Sequence, residues 1–222
     1  MRTLLDIFAV GQTQYFVSQT NVRGVRKVQK LWTTSQLCIT YLNLKFSMPI
    51  KSLIRTVANY PQSGVMFRDI TTLLKDAQGL QLAIKMLADH FRNKPFDKVA
   101  GIEARGFILG SVVAYELGLG FIPVRKKGKL PFETVGKNYD LEYGTDRIEI
   151  HTDAILAGES ILLIDDLIAT GGTASAACSL IQDMGGEING CGFVIDLPDL
   201  GGRKLLEGQG HEVFALCEFE GD

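Results

Sequence analysis

The strongest hydrophobic signal in the chain is an unbroken apolar run, Ile161–Ile164, set directly before Asp165 and Asp166. A continuous run of this kind, bounded by turn residues, fits a strand buried on both faces. Lys98–Ile102, Phe121–Val124, Phe193–Leu197 and Val213–Phe219 read as further strands. Leu80, Ile84, Leu87 and Phe91 recur at helical spacing, and Asp76 stands where an N-cap is needed. Phe107–Leu117 reads as a helix closed by Gly118, and Thr173–Met184 as a helix of small residues closed by Gly185 and Gly186. Lys51–Ala58 is a candidate short amphipathic helix, with Leu53, Ile54 and Val57 on one side, and Pro61–Gly64 is a turn. Ile148 and Ile150 alternate with charged residues, as in a half-exposed strand. Lys126–Gly144 is rich in Gly, Pro, Lys and Glu and has almost no period, so it reads as a long loop of the kind that forms lids. Strands alternating with helices predict an α/β fold: a mainly parallel central sheet flanked by helices, with right-handed crossovers.

Composition narrows this little. With 46% hydrophobic and 22% charged residues, the chain has the make-up of a globular protein with a real core, not of a disordered one. A net charge of −2 gives no electrostatic footprint for nucleic acid, and no run approaches the ~18 apolar residues of a membrane span. Cys38, Cys178, Cys191 and Cys217 have no metal-site spacing and read as reduced thiols of an intracellular, cytoplasmic protein. His90, His151 and His211 are isolated and read as structural.

The charge is unevenly placed. Residues 1–47 hold six basic residues and one acid, net +5, so the remainder carries −7. This segment lacks the strand–turn–helix punctuation of the rest, and Met48-Pro49-Ile50-Lys51 reads like a natural start. Three readings of it stand: sequence upstream of a start at Met48, a targeting peptide, or an accessory arm. The chain therefore divides into an extension, 1–47, and one domain, 48–222.

Chemistry concentrates at strand ends. Behind Asp165 and Asp166 comes Ala169-Thr170-Gly171-Gly172-Thr173, which offers free backbone N–H groups and two hydroxyls at a helix N-terminus, a site for phosphate. Two carboxylates repel phosphate but suit sugar hydroxyls or a metal ion bridging to them. Together they suggest a sugar phosphate. Alone, the acids would be an N-cap pair and the glycines a turn; the whole string Ile161–Thr173 is what carries the inference. Gly101-Ile102-Glu103-Ala104-Arg105-Gly106-Phe107 follows another strand, and a Gly-flanked Arg105 at such a turn can surround a pyrophosphate. Arg125-Lys126-Lys127-Gly128-Lys129 places four cations in five residues, a solvated loop or a lid over polyphosphate. Glu142, between Leu141 and Tyr143, can act as a general acid once its surroundings exclude water. Gly64-Val65-Met66-Phe67-Arg68-Asp69 adds an aromatic ring beside an arginine.

These strings, from about Pro49 to the C-terminus, resemble the type I phosphoribosyltransferases and, among them, the adenine-specific members. The resemblance implies that family's fold, with a small N-terminal hood and a flexible lid loop. It implies an activity, adenine + phosphoribosyl pyrophosphate (PRPP) giving AMP + pyrophosphate, in purine salvage, with Mg²⁺ as cofactor. Ala169–Thr173 would hold the 5′-phosphate, Asp165 and Asp166 the ribose, and Arg105 and Lys129 the pyrophosphate, with a cis peptide at Glu103–Ala104. Phe67 would stack on adenine, Arg68 would reach its edge, and the backbone at Met66 would read its amino group. Glu142 would protonate adenine N7. No metal ligand is expected directly from the protein beyond possible help from Asp165. The resemblance also implies a homodimer. Two alternatives stay open: a transferase for another purine base, and a non-catalytic PRPP-sensing regulator that binds nucleic acid.

Overall fold

The computed structural model describes residues 5–10, 13–18, 50–140 and 145–221. Two compact units emerge, Met1–Met48 and Pro49–Asp222. In the first, β1 (Leu5–Val10) and β2 (Thr13–Ser18) pair antiparallel, Leu5 opposite Ser18. The hydrophobic pattern predicts no element there, but Thr13, Tyr15, Phe16 and Val17 are residue types that favour extended backbone.

The second unit opens with a 3₁₀ turn, Ile50–Leu53, and a hairpin of β3 (Arg55–Ala58) and β4 (Met66–Asp69). Lys51–Ala58 is thus not the helix its pattern suggests. β-Branched Thr56 and Val57 take extended backbone, and Val57 finds a cross-strand partner in Phe67. Next come α1 (Thr71–Lys75), α2 (Ala77–Phe91), β5 (Lys98–Ile102), α3 (Arg105–Leu117) and β6 (Gly120–Lys126). They are followed by β7 (Thr134–Asp140), β8 (Thr145–His151), β9 (Ser160–Ile168), α4 (Gly172–Asp183), β10 (Glu187–Asp196), α5 (Gly202–Gly208) and β11 (Val213–Glu218). The caps read from sequence are present: the Asp76 side chain accepts the Gly79 N–H at 2.7 Å, and Gly118 ends α3 at φ 71°.

Seven strands form one sheet in the order β11-β10-β9-β5-β6-β8-β7. The first five are parallel, and β8 and β7 extend the sheet antiparallel. The apolar run in β9 divides between two cores. Ile161 and Leu163 face one that includes α4, while Leu162 and Ile164 face another that includes α2 and α3. Burying four such side chains fully contributes roughly 1.5–3 kcal/mol each. This is why the run is continuous rather than alternating.

The supposed aperiodic loop 126–144 is only partly a loop. After a turn, Thr134–Asp140 forms β7, paired along its length with β8, Val135 opposite Ile150 and Lys137 opposite Ile148. Its order comes from that pairing and from packing on α4, and neither leaves a period in the segment itself.

In the hairpin, Asp69 accepts from the Arg55 side chain, the Thr71 hydroxyl and the Thr71 N–H. The Arg55 bond first, then those from Thr71, lower the Asp69 pKa from 3.8 to about 2. A depressed carboxyl pKa contributes stability that is complete above the unfolded value, about 4, and is lost as pH falls through the folded one. Arg55 is well exposed, so the contribution is small, about 0–1 kcal/mol. Asp69→Asn should lower the melting temperature slightly at neutral pH, with the gap to the parent narrowing below about pH 4. Circular-dichroism melts across that range check it, and a gap independent of pH would contradict it.

Candidate active site

Leaving β5, the chain proceeds outward to β6; leaving β9, it proceeds the opposite way to β10. Ligands of parallel sheets bind at such a reversal, beyond the carboxyl ends of the strands. Pairing between β5 and β9 ends at Gly101–Ile164, whereas β9 and β10 stay paired to Ile168–Asp196. The crevice therefore opens beside Asp165 and Asp166. It also explains why β9 runs four residues past the point where its apolar run stops.

Two glycines let the loop after β5 lie against that strand end. A Cβ on Gly101 would meet the Gly106 carbonyl oxygen at 2.7 Å, and one on Gly106 would meet Asp165 Oδ1 at 2.8 Å. The Glu103–Ala104 peptide is cis, as the resemblance implies. Arg105, at the start of α3, donates through Nε to Asp166 Oδ2. The Asp166 N–H donates to Asp165 Oδ1 at 2.8 Å. Burial, with the Asp166 charge added to it, pushes the Asp165 carboxyl well above the usual carboxylate range. Burial works against the Arg105 charge, yet contact with Asp166 leaves its pKa raised.

The loop after β9 is a cradle. Gly171 takes a left-handed φ of 82°, and its carbonyl accepts the Ser175 N–H. Among the described residues, no backbone carbonyl accepts from the N–H groups of Thr170, Gly171, Gly172 or Thr173. Four free amides at the start of a helix can bind an anion.

The hairpin brings Phe67 to the same crevice, with the Arg105 guanidinium 5.8 Å from its ring centroid. Tyr60 meets Phe67 edge-on at 5.2 Å, a support that no motif in the sequence marks. Met66 is partly exposed beside it. Arg68 is buried beside it. Its guanidinium donates to Thr56 Oγ1 at 2.8 Å and to the Glu220 carbonyl at 3.2 Å, and lies over the Phe219 ring. A buried guanidinium needs such partners, and Thr56 on β3 and Glu220 near the chain end supply two, while Nε has none among the described residues.

The basic turn joins from β6. Arg125 donates to the Lys129 carbonyl at 2.9 Å and through Nε to Glu103 Oε2 at 3.3 Å. Burial would raise the Glu103 carboxyl, but the Lys126 N–H and Arg125 outweigh it and hold it low. Glu103, unmarked in the sequence except as part of the Arg105 loop, thereby links that loop to the turn. The Lys129 side chain is exposed. Glu142 lies outside the described residues, between β7 and β8. β7 is anchored on α4 by Lys137, which donates to Asp183 Oδ2 at 2.7 Å.

Comparison with known proteins agrees with this arrangement. A phosphoribosyl transferase domain model matches residues 69–205. An adenine phosphoribosyltransferase of Nitrosospira multiformis is 67% identical over 175 residues, 79% of this chain and 100% of that relative. One from Methylobacillus flagellatus is 60% identical over 173 residues, 78% of this chain and 98% of the relative. The crystal structure of the Rhodothermus marinus adenine phosphoribosyltransferase superposes with a TM-score of 0.74 at 47% identity, covering 80% of this chain and 100% of that one. The Saccharomyces cerevisiae enzyme, solved with adenine and an imino-altritol bisphosphate, gives 0.72 at 35% identity, covering 78% and 99%. With a domain model spanning more than half of its length and relatives matched nearly end to end, the chain belongs to the phosphoribosyltransferase family, among the adenine phosphoribosyltransferases.

Proposed function

We propose that this chain transfers the phosphoribosyl group of PRPP to adenine, releasing pyrophosphate and forming AMP, a purine-salvage reaction. The observation that carries the reading is the crevice where β5 and β9 part: an amide cradle, two carboxylates, Arg105 and the Phe67 ring meet there. The solved yeast relative with adenine bound supports the choice of base.

In this reading the amides and hydroxyls of Ala169–Thr173 hold the 5′-phosphate. Asp165 and Asp166 hold the ribose hydroxyls, and the Asp166 carboxylate favours the cationic character that C1′ develops. Arg105 and Lys129 hold pyrophosphate. Phe67 stacks on adenine at ~1–3 kcal/mol, Arg68 reaches its edge, and the Met66 backbone reads its amino group. Adenine N9 bonds to C1′ as the C1′–oxygen bond to pyrophosphate breaks, and the N9 proton is released. Glu142 donates a proton to N7 while the bond forms and takes it back as AMP is completed, so that one proton in all leaves the base.

Among the described residues, no three His, Cys, Asp or Glu side chains group to hold a metal ion. Two carboxylates, one already paired with Arg105, fit an Mg²⁺ that would arrive with PRPP, and Asp165 would help to hold it. Such an ion supplies neutralising charge to the leaving group. The domain carrying all this is 48–222, with 1–47 an extension, and we assign the protein to the cytoplasm.

The assay supplies PRPP and Mg²⁺ with adenine, hypoxanthine, guanine or xanthine and separates products by chromatography. AMP from adenine alone is expected. Glu142→Gln should cost about 10²–10⁴-fold in kcat, and Asp166→Asn about 10²–10³-fold. Nucleotide from another base would overturn the roles of Phe67 and Met66. PRPP binding without any product would favour the regulator.

The homodimer belongs to this proposal too. Ile108, Val112 and Tyr115 form an apolar stripe on α3, with Tyr115 85% exposed, on the helix that begins at Arg105. We place a second copy there. Tyr115→Lys with Val112→Glu should shift the parent's dimeric mass to a monomer in light scattering, and an unchanged mass would refute the placement.

A further inference from the structure

The cradle has a back wall that the mechanism above does not use. To turn its N–H groups into the crevice, the loop after β9 must turn carbonyls away, and each of those needs a donor. The Ile168 carbonyl accepts the Leu197 N–H at 3.0 Å, the Gly171 carbonyl accepts Ser175 at 2.8 Å, and the Ala169 carbonyl accepts the Gly202 N–H at 2.9 Å. The first donor ends the β9–β10 ladder and the second belongs to α4. The third is the first residue of α5, just past the loop that leaves β10.

Gly202 does more than donate. It is buried, and a Cβ placed on it would lie 2.3 Å from the Ala169 carbonyl oxygen and 2.6 Å from the Gly171 nitrogen. Conversely, a Cβ on Gly171 would lie 2.9 Å from Gly202 Cα. The two segments thus touch backbone to backbone over both glycines. Gly202 has no positive φ, unlike Gly201 at 77°, so contact rather than conformation demands glycine there. The second segment is itself held fast. Arg203 donates to Asp196 Oδ2 at 3.3 Å, to the Val213 carbonyl at 3.2 Å and to Glu207 Oε1 at 2.9 Å. At the far end of α5, Gln209 donates to Ser175 Oγ at 2.8 Å.

We infer that Gly202 is a positioning residue for the 5′-phosphate: its N–H and its missing side chain set the orientation of the Ala169–Gly171 backbone, and with it the aim of the cradle's amides. The inference rests on the proposal that this loop binds the 5′-phosphate.

The test compares AMP with adenosine, which lacks the phosphate, by titration calorimetry on the full chain. The parent should prefer AMP. Gly202→Ala should lose about ten- to a hundredfold in AMP affinity, the size of a lost charge-assisted hydrogen bond, with adenosine changed less than about twofold. Its KM for PRPP should rise by a similar factor while KM for adenine stays put. Gly210→Ala serves as the control. It strains the end of α5 at φ 89°, where a Cβ meets nothing within 4 Å, and it should leave the AMP-to-adenosine ratio unchanged. Equal losses for both ligands in Gly202→Ala, or none, would overturn the inference. A parent with no preference for AMP would overturn the phosphate-loop reading itself, and this inference with it. Should Gly202→Ala fail to fold, hydrogen exchange on the parent decides: AMP, but not adenosine, should slow the Gly202 amide, and an unaffected amide would refute the role.

Discussion

The β-ladder is unequal along β9, and the rest of the site depends on that inequality. Four residues of β5 accompany β9 only as far as Ile164, while β10 continues beside it to Ile168. A strand paired on both edges and apolar on both faces can carry polar groups only where one neighbour departs. Asp165 and Asp166 stand at that point. The helices that follow β5 and β9 pack on opposite sides of the sheet, so their starting loops face one another across the gap instead of stacking on one side.

Electrostatically the crevice is a balanced mixture. A phosphate cradle and two adjacent acids would repel a common ligand if both acids were fully charged and unpaired. Here one acid is matched by Arg105, and burial and its neighbour push the other toward the neutral form. Farther out, Glu103 and Arg125 form a second pair that ties the Arg105 loop to the basic turn. The field therefore changes sign over the length of one sugar phosphate, which suits a ligand with anionic ends and a neutral middle.

Much of this was legible in the chain because it is local. The β9 string holds strand, acids, cradle and helix within a few turns of sequence, and Gly118 and Asp76 announce helix ends through their own chemistry. What escaped was set by distant partners. β7 owes its strand to β8, and β3 owes its strand to β4. Arg68 carries no mark in the sequence of its partners near the chain end, Phe219 and Glu220. Gly202 had no motif around it, because the reason for it lies across space at Ala169.

The contact between Gly106 and Asp165 has a consequence for how such a protein can change. With Asp165 Oδ1 and the Ile164 carbonyl filling the space where a Cβ would stand on Gly106, that position cannot take a side chain. Gly171 and Gly202 are held likewise, each against the other's backbone. The sugar-phosphate half of the crevice is thus a frozen module, in which single substitutions meet a barrier on every side. The hairpin half is less crowded: Met66 is 37% exposed, and Gly64 has open space around it, although its φ of 94° favours glycine. Divergence toward a different base, by evolution or by an engineer, has its open road through the hairpin, while the part that grips the sugar is inherited whole.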